Sequence, residues 1–408
     1  MYIPRTLEKT LLKYLNKKEV IAVMGPRQCG KTTLLNRIFK NLKNAVFIDF
    51  EDREKLELFM TDISSFIELY VKPNKYLFID EFQYASDGGK SLKFIYDNYN
   101  IKIFISGSSA TGLTIKSIKY LVGRIFVFNL FPFSFEEFLS YKGKEIYEKI
   151  YTKGNLSKII IKHIYGLYKE YAAYGGYPRV VIAHNKEEKE IVLKNIYNTY
   201  FLKEIKEILG LTADFKLSKL IKVLSLQIGG LINYNELSSL TGFSHYELLR
   251  HLNILEKTFI CKMSRPYYTN KRIELTKNPK IYFFDNGFRN IVISSFQELD
   301  KRIDKGILNE NFIASEIIKK ELELRYWRSK SKAEVDFVII KNNEVYPLEV
   351  KSLLLSEKVT RSFMSFIEKY RPKKGFVAAD QFTGKRKEKG CAIDFIPVFY
   401  ISQILDKL

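Results

Sequence analysis

Up to about residue 130 the chain alternates two patterns. Short, almost wholly apolar runs occupy 20–24, 45–50, 75–82 and 101–109. Between them lie stretches whose apolar residues recur at three- and four-residue steps, as Leu56, Phe59, Ile63 and Phe66 do within 51–71. The first pattern predicts buried strands and the second helices, so 5–18, 33–40 and 51–71 read as helical. The fold class that follows is α/β.

Beyond residue 140 the pattern changes. Residues 141–210 carry Tyr, Lys and Ile at helical spacing, and 217–226 forms another apolar-periodic helix. Asn233 is positioned to cap a short helix ending at Gly242, and Ser244 with Glu247 forms a capping box for the next. Strand-like runs at 259–264 and 280–284 flank a basic Tyr-Tyr-Thr-Asn-Lys-Arg tip, the pattern of a winged helix-turn-helix. There His245, Tyr246 and Arg250 fall on the recognition helix, and Lys271 and Arg272 in the wing. The last section predicts a helix from 309, a strand at 325–328 and a hairpin of 334–340 and 344–352 around Asn342-Asn343. The expected division is 1–140, 141–212, 213–288 and 289–408.

Gly25-Pro-Arg-Gln-Cys-Gly-Lys-Thr32 fits G-x-x-x-x-G-K-[ST] between the first strand and a helix, the context a P-loop needs. Gly25, Pro26, Arg27, Gln28, Cys29, Gly30, Lys31, Thr32 and Thr33 are thus the candidate nucleotide-binding residues. Loop N–H groups and the helix N-terminus form an anion cradle. Lys31 is expected over the β/γ-phosphates and the Thr32 hydroxyl on Mg²⁺, with ATP the nucleotide. The run at 75–82 ends in Asp80-Glu81, a Walker B arrangement in which Asp80 holds Mg²⁺ and Glu81 polarises the attacking water. Ser106, ending the next strand, is placed to hydrogen-bond the water or the γ-phosphate; it serves equally as a plain strand end.

Composition narrows the partners. A net charge of +21, from 67 Lys and Arg against 46 Asp and Glu, points to a polyanionic partner, nucleic acid (DNA) before membrane, or else to a generally Lys-rich surface. Cys29, Cys261 and Cys391 are far apart with no C-x-x-C pair, which argues against disulfides and zinc and for a reducing cytoplasm. The longest strongly apolar run, 125–135, is too short to span a bilayer, so a soluble protein is expected.

The order strand–P-loop–helix, strand, strand-Asp-Glu, strand-Ser-Gly-Ser-Ser, Gly-Arg-strand resembles the AAA+ ATPases. The resemblance is to a prokaryotic group with a GPRQ-type Walker A, an IDE(x)Q Walker B and an L-x-GR…PxSFxEF segment, and it covers residues 1 to about 210. It implies a P-loop AAA+ core with a helical lid. It also implies that Arg124 acts as an arginine finger across a subunit interface, in a homo-oligomer; a structural arginine ahead of a strand is the alternative. Tyr174-Gly-Gly-Tyr-Pro-Arg179 resembles the GxP element of STAND-type regulatory ATPases, where Arg179 would sense the nucleotide, although a helix-breaking turn gives the same residues.

The C-terminal section resembles the PD-(D/E)xK nucleases. Asp336 and Glu349-Val-Lys351 match the motif, and Glu310 is the helix-borne acid. Alternation puts Glu349 and Lys351 on one face. On that resemblance Asp336, Glu349 and Glu310 hold Mg²⁺, while Lys351 holds the water or the developing charge. The expectation is an ATPase core, a helical lid, a winged helix and a small α/β nuclease-like domain, coupling ATP hydrolysis to DNA binding or processing. The alternative is a STAND-like switch whose C-terminal domains bind a protein or DNA without cleavage.

Overall fold

The computed structural model describes residues 2–108, 118–151, 157–211 and 215–408. Ser109, the end of the fourth expected strand, lies outside them. The chain packs into two compact units. The first comprises Met1–Phe133, Lys203–Leu211 and Lys257–Phe259; the second holds Ser134–Leu202, Thr212–Glu256 and Ile260–Leu408.

The first unit is built on a parallel sheet of β1 (Val20–Gly25), β2 (Ala45–Asp49), β3 (Tyr76–Asp80), β4 (Lys102–Ser108) and β5 (Ile125–Asn129), in the order β2-β3-β4-β1-β5. All five run the same way, so every carboxyl end reaches one edge. Every residue of β1 and β4 is buried, which is why β1 is an apolar run and β4 is apolar through Ile103–Ile105 rather than alternating, with Lys102, Ser106 and Ser108 toward its ends. One face packs on Phe59, Phe66, Leu92 and Ile95, the other on Leu11, Leu34, Leu35 and Ile38. β4 separates the P-loop strand from the Asp80 strand, with Val23 opposite Ser106 and Ile79 opposite Ile105.

The expected helix over 51–71 is interrupted. Arg53–Thr61 ends at Asp62, whose carboxylate caps a new turn by accepting from the Ser65 N–H at 3.0 Å and the Ser65 hydroxyl at 2.6 Å. An aspartate that finds backbone donors stops one helix and starts the next, although the apolar spacing runs through it.

The second unit contains two sheets. β6 (Cys261–Pro266) and β7 (Lys280–Phe283) are antiparallel and continue through β8 (Arg325–Arg328) to β9 (Glu334–Val335), in the order β7-β6-β8-β9. β10 (Phe337–Lys341), β11 (Glu344–Val350), β12 (Lys374–Ala379), β13 (Gly384–Glu388) and β14 (Cys391–Pro397) are ordered β10-β11-β12-β14-β13. The β10–β11 hairpin turns on Asn342 and Asn343 at φ 54° and 61°, the left-handed pair that a tight hairpin requires. Ahead of β6, the helices Phe215–Leu226, Tyr234–Thr241 and His245–Lys257 follow the expected order. The Asn233 side chain accepts from the N–H groups of Asn235 and Glu236, and Ser244 and Glu247 exchange capping bonds. The connection expected as an open basic wing instead contains the helix Lys271–Thr276, capped by Asn270, and β6 extends beyond a two-stranded wing by pairing with β8.

Residues of two of the motif segments also pack within this second unit. In the PxSFxEF segment, Phe135 is buried against Phe138, Tyr168, Tyr171, Phe312 and Phe399, and its N–H donates to Glu316 Oε1 at 3.1 Å. In the Gly-Gly-Tyr-Pro segment, Gly175 stands at φ 74°, where a Cβ would collide with the Asp285 carboxylate, and the Gly176 N–H donates to Asp285 Oδ2 at 2.7 Å. Arg179 is exposed on the short helix Pro178–Ile182.

Candidate functional site

The P-loop joins the end of β1 to the helix Lys31–Phe39. Gly25 is required by close approach: a Cβ there would collide with the Leu130 carbonyl oxygen. Gln28 and Gly30 stand at φ 60° and 97°, the left-handed region that turns successive N–H groups inward as an anion nest. Lys31 is 4% exposed, and its ammonium donates to the Gly25 and Pro26 carbonyls at 3.1 and 3.0 Å. Arg27, Gln28, Thr32 and Thr33 are exposed, while Pro26 and Cys29 are buried. Burial pushes the Cys29 thiol up from its ordinary value, against the pull of Lys31 and Arg5, so this cysteine is not an activated nucleophile.

The acidic residues stand together at the end of β3, beside Ser106 on the neighbouring β4. Asp80 closes β3, is 1% exposed and accepts a hydrogen bond from the Ser106 hydroxyl on β4. Glu81 leaves the strand at φ 52°, ψ 41°, an uncommon conformation for a glutamate. Its N–H donates to Ser106 Oγ at 3.3 Å, and its carboxylate accepts from the Gln83 side-chain amide. Gln83 in turn accepts from the Ser108 N–H at 3.2 Å. Asp80, Glu81, Ser106 and Gln83 thus form one connected polar line at the carboxyl edge of the sheet, where β1 also ends. These residues fit a Mg²⁺-nucleotide: an anion nest, a buried lysine on the loop and a buried aspartate two strands over, beyond β4.

Arg124 precedes β5 at the opposite, amino edge, so it does not converge with the P-loop of its own chain. Its Nε lies 2.9 Å from Asp97 Oδ1, and its guanidinium is 5.9 Å from the Tyr96 ring centroid.

Two contributors escaped the sequence reading. Arg5, 7% exposed, donates to the carbonyls of Cys29 at 2.7 Å and Phe131 at 2.6 Å, and its guanidinium lies 4.6 Å from the Phe133 ring centroid. It ties the P-loop to the segment after β5. A lone arginine ahead of the first helix carries no motif. Gln83 was legible only as a letter of the Walker B pattern; its role needs the turn Phe82–Tyr84 that folds it back on Glu81.

The nuclease-like residues lie in the second unit. Asp336 occupies the break between β9 and β10 and accepts from the Val350 N–H at 2.8 Å. Glu349, 4% exposed, accepts from the Thr360 hydroxyl at 2.9 Å and pairs with the Lys351 ammonium at 2.8 Å. Glu310 sits within the helix Lys305–Lys319, where the Tyr282 hydroxyl at 2.5 Å and the Lys280 ammonium at 3.3 Å both bind its Oε1. Among the described residues, no three of the His, Cys, Asp and Glu side chains are disposed to hold a metal ion. The expected ligand set of Glu310, Asp336 and Glu349 therefore does not fit a divalent cation as folded. Its carboxylates are bonded to protein donors, and a lysine stands among the acids.

Residues 17–139 match the AAA domain family, 165–299 a domain of unknown function (DUF8612) and 305–398 another (DUF4143). An uncharacterized protein of Haemophilus influenzae is 26% identical over 83% of this chain and 84% of its own length. One of Methanocaldococcus jannaschii is 25% identical over 92% of this chain and 84% of its own. Among solved structures, the Walker-type ATPase of Pyrococcus abyssi covers 72% of this chain and 96% of its own at 16% identity and a TM-score of 0.41. The Aeropyrum pernix Orc1 protein, solved in complex with DNA, covers 77% and 94% at 10% identity and a TM-score of 0.31. No described helix is long and apolar enough to cross a membrane. With its parallel sheet, its P-loop and the match over 17–139, the first unit carries an AAA-type ATPase domain.

Proposed function

We propose that the first unit binds ATP with Mg²⁺ and hydrolyses it, and that this turnover is coupled to DNA binding by the chain. The observation that carries the ATPase half is the polar line Asp80–Ser106–Glu81–Gln83 at the sheet edge where the Lys31 loop also lies. The loop N–H groups and Lys31 bind the phosphates. Thr32 and Asp80 would hold Mg²⁺, which neutralises charge on the β- and γ-phosphate oxygens. Glu81, held by Gln83, orients a water and takes its proton as the water oxygen bonds to the γ-phosphorus. The bond from that phosphorus to the β–γ bridging oxygen breaks, and ADP and phosphate leave.

The DNA half rests on the charge of +21, which would attract a phosphate backbone without sequence preference. The test is the ATP turnover rate with and without single-stranded, duplex and branched DNA. Stimulation that fades as salt rises is the expected result; no stimulation and no salt-dependent DNA affinity would remove the coupling to DNA.

The Arg124–Asp97 pair favours a second reading, a switch of the STAND kind. On this reading Arg124 engages its own chain through a half-exposed pair, hydrolysis is slow and times a conformational state, and the C-terminal domains bind a protein or DNA partner without cleavage. Nucleotide-dependent assembly with little turnover would select this reading over the first.

A further inference from the structure

Lys280 is used by neither the ATP site nor the DNA reading. It opens β7 opposite Ser264 of β6 and is 2% exposed. Its ammonium lies 2.6 Å from Glu334 Oε1 and 3.3 Å from Glu310 Oε1, and 5.6 Å from the centroid of the Tyr326 ring. Strand alternation puts Tyr282 on the same face, and its hydroxyl meets the same Glu310 oxygen. β7 therefore delivers both a cation and a neutral donor to one carboxylate. Asp336 completes the acidic group whose field acts on Lys280.

We infer that the Lys280 ammonium occupies the cation's place among Glu310, Glu334 and Asp336 that a divalent metal holds in a cleaving nuclease, so this centre binds no catalytic metal and cuts no phosphodiester. A metal on Glu310 and Asp336 would set two positive charges beside an ammonium that is buried and has acids as its partners. Like charges at that range, away from water, repel strongly. The remaining candidate ligands already hold protein donors. The Thr360 hydroxyl, with one proton to give, lies 2.9 Å from each Glu349 oxygen, Lys351 pairs with one of them, and Asp336 Oδ2 accepts from the Val350 N–H. Mg²⁺ requires near-octahedral oxygen ligands and would have to displace these donors. Access is not the obstacle. Glu310 lines a cavity of about 400 Å³ with Gln227, Gly229, Gly230 and Ile307. A Cβ on Gly229 would press within 3.1 Å of Glu310 Oε2, so the glycine keeps that approach clear. The inference stands apart from the ATPase reading, since no nucleotide enters it.

The experiment titrates nucleotide-free, full-length protein with Mn²⁺ and reads the free Mn²⁺ signal by electron paramagnetic resonance, with thermal melting to establish that each variant is folded. Wild type and Asp336→Asn are expected to bind Mn²⁺ identically, and wild type to leave supercoiled plasmid intact in Mg²⁺ or Mn²⁺. Lys280→Gln is expected to gain one equivalent of Mn²⁺, lost again when Asp336→Asn is added. One equivalent more in wild type than in Asp336→Asn, or plasmid nicking that Asp336→Asn abolishes, overturns the inference. So does a folded Lys280→Gln that gains no Mn²⁺. Should Lys280→Gln fail to fold, the comparison of wild type with Asp336→Asn decides alone.

Discussion

The Arg5 guanidinium donates to the Cys29 carbonyl at 2.7 Å, so a residue fifteen positions before β1 holds the back of the phosphate loop. Its second donor reaches the Phe131 carbonyl, which makes Arg5 a brace between the P-loop and the segment after β5. Arg5→Ala leaves two carbonyls without their charged donor and is expected to destabilise the first unit by about 2–4 kcal/mol. ATP affinity should fall with it, while Arg5→Lys, which can reach only one carbonyl at a time, recovers part of both. Thermal melting and nucleotide titration of the two variants measure this. A melting point and affinity equal to wild type in Arg5→Ala would show that the brace is idle.

Lys31 and Glu81 separate binding from chemistry. Lys31→Ala should weaken ATP binding by about 1.5–3 kcal/mol, the value of a hydrogen bond to a charged group. Glu81→Gln should keep affinity and slow hydrolysis by about 10²–10⁴-fold. Gln83→Ala, which frees Glu81 without removing it, should lower kcat less and leave affinity alone. Phosphate-release kinetics beside nucleotide binding test all three, and equal turnover in wild type and Glu81→Gln defeats the assignment.

Arg124 is expected to act on a neighbouring chain. Arg124→Ala should bind ATP normally and lose about a thousandfold in rate once assembled. Mixing it with Glu81→Gln should restore part of the activity, because some interfaces then pair an intact Glu81 with an intact Arg124. Full-rate hydrolysis by a strictly monomeric protein removes this role.

Acid should unfold the second unit through Asp304. Its carboxylate accepts from Arg289 at 2.7 Å and from Arg302 at 2.8 and 2.9 Å. Burial, the largest single influence, pushes its pKa up, but the bonds from the two arginines outweigh it and hold the group at about 2. The folded pKa lies below the unfolded one, so the stabilisation is complete above about pH 4 and is lost as pH falls through about 2. Asp304→Asn leaves two buried guanidinium groups uncompensated, a cost of about 3–5 kcal/mol, and should flatten that acid limb. Melting curves from pH 2 to 7 for both proteins give the slope; an unchanged limb in the variant would place the acid lability elsewhere.

Local chemistry made much of this chain legible in advance. Val20–Gly25, Tyr76–Asp80 and Lys102–Ser108 are strands because apolar runs, with polar residues only toward their ends, suit a sheet covered on both faces. The P-loop, the Asp80-Glu81 pair, the Asn233 cap and the Ser244–Glu247 box could be read because each depends on residues within a few positions of one another. The break at Asp62 could not: the apolar spacing runs through it, and only the aspartate's bonds to Ser65 stop the helix.

What the sequence by itself determined was the alternation of strands and helices up to about residue 130, the capped helices of 217–256, the 334–352 hairpin, and which residue types meet at the phosphate loop. Only the tertiary structure decided which distant groups meet. Inserting β4 between β1 and β3 is what lets Ser106 join Asp80 to Glu81, 26 and 25 positions away. The same holds for Arg5 on Cys29, for Gly176 on Asp285 and for Lys280 among Glu310 and Glu334. The physical reason is that a buried charge must find compensation wherever packing brings an opposite group, and that pairing leaves no spacing rule in the chain.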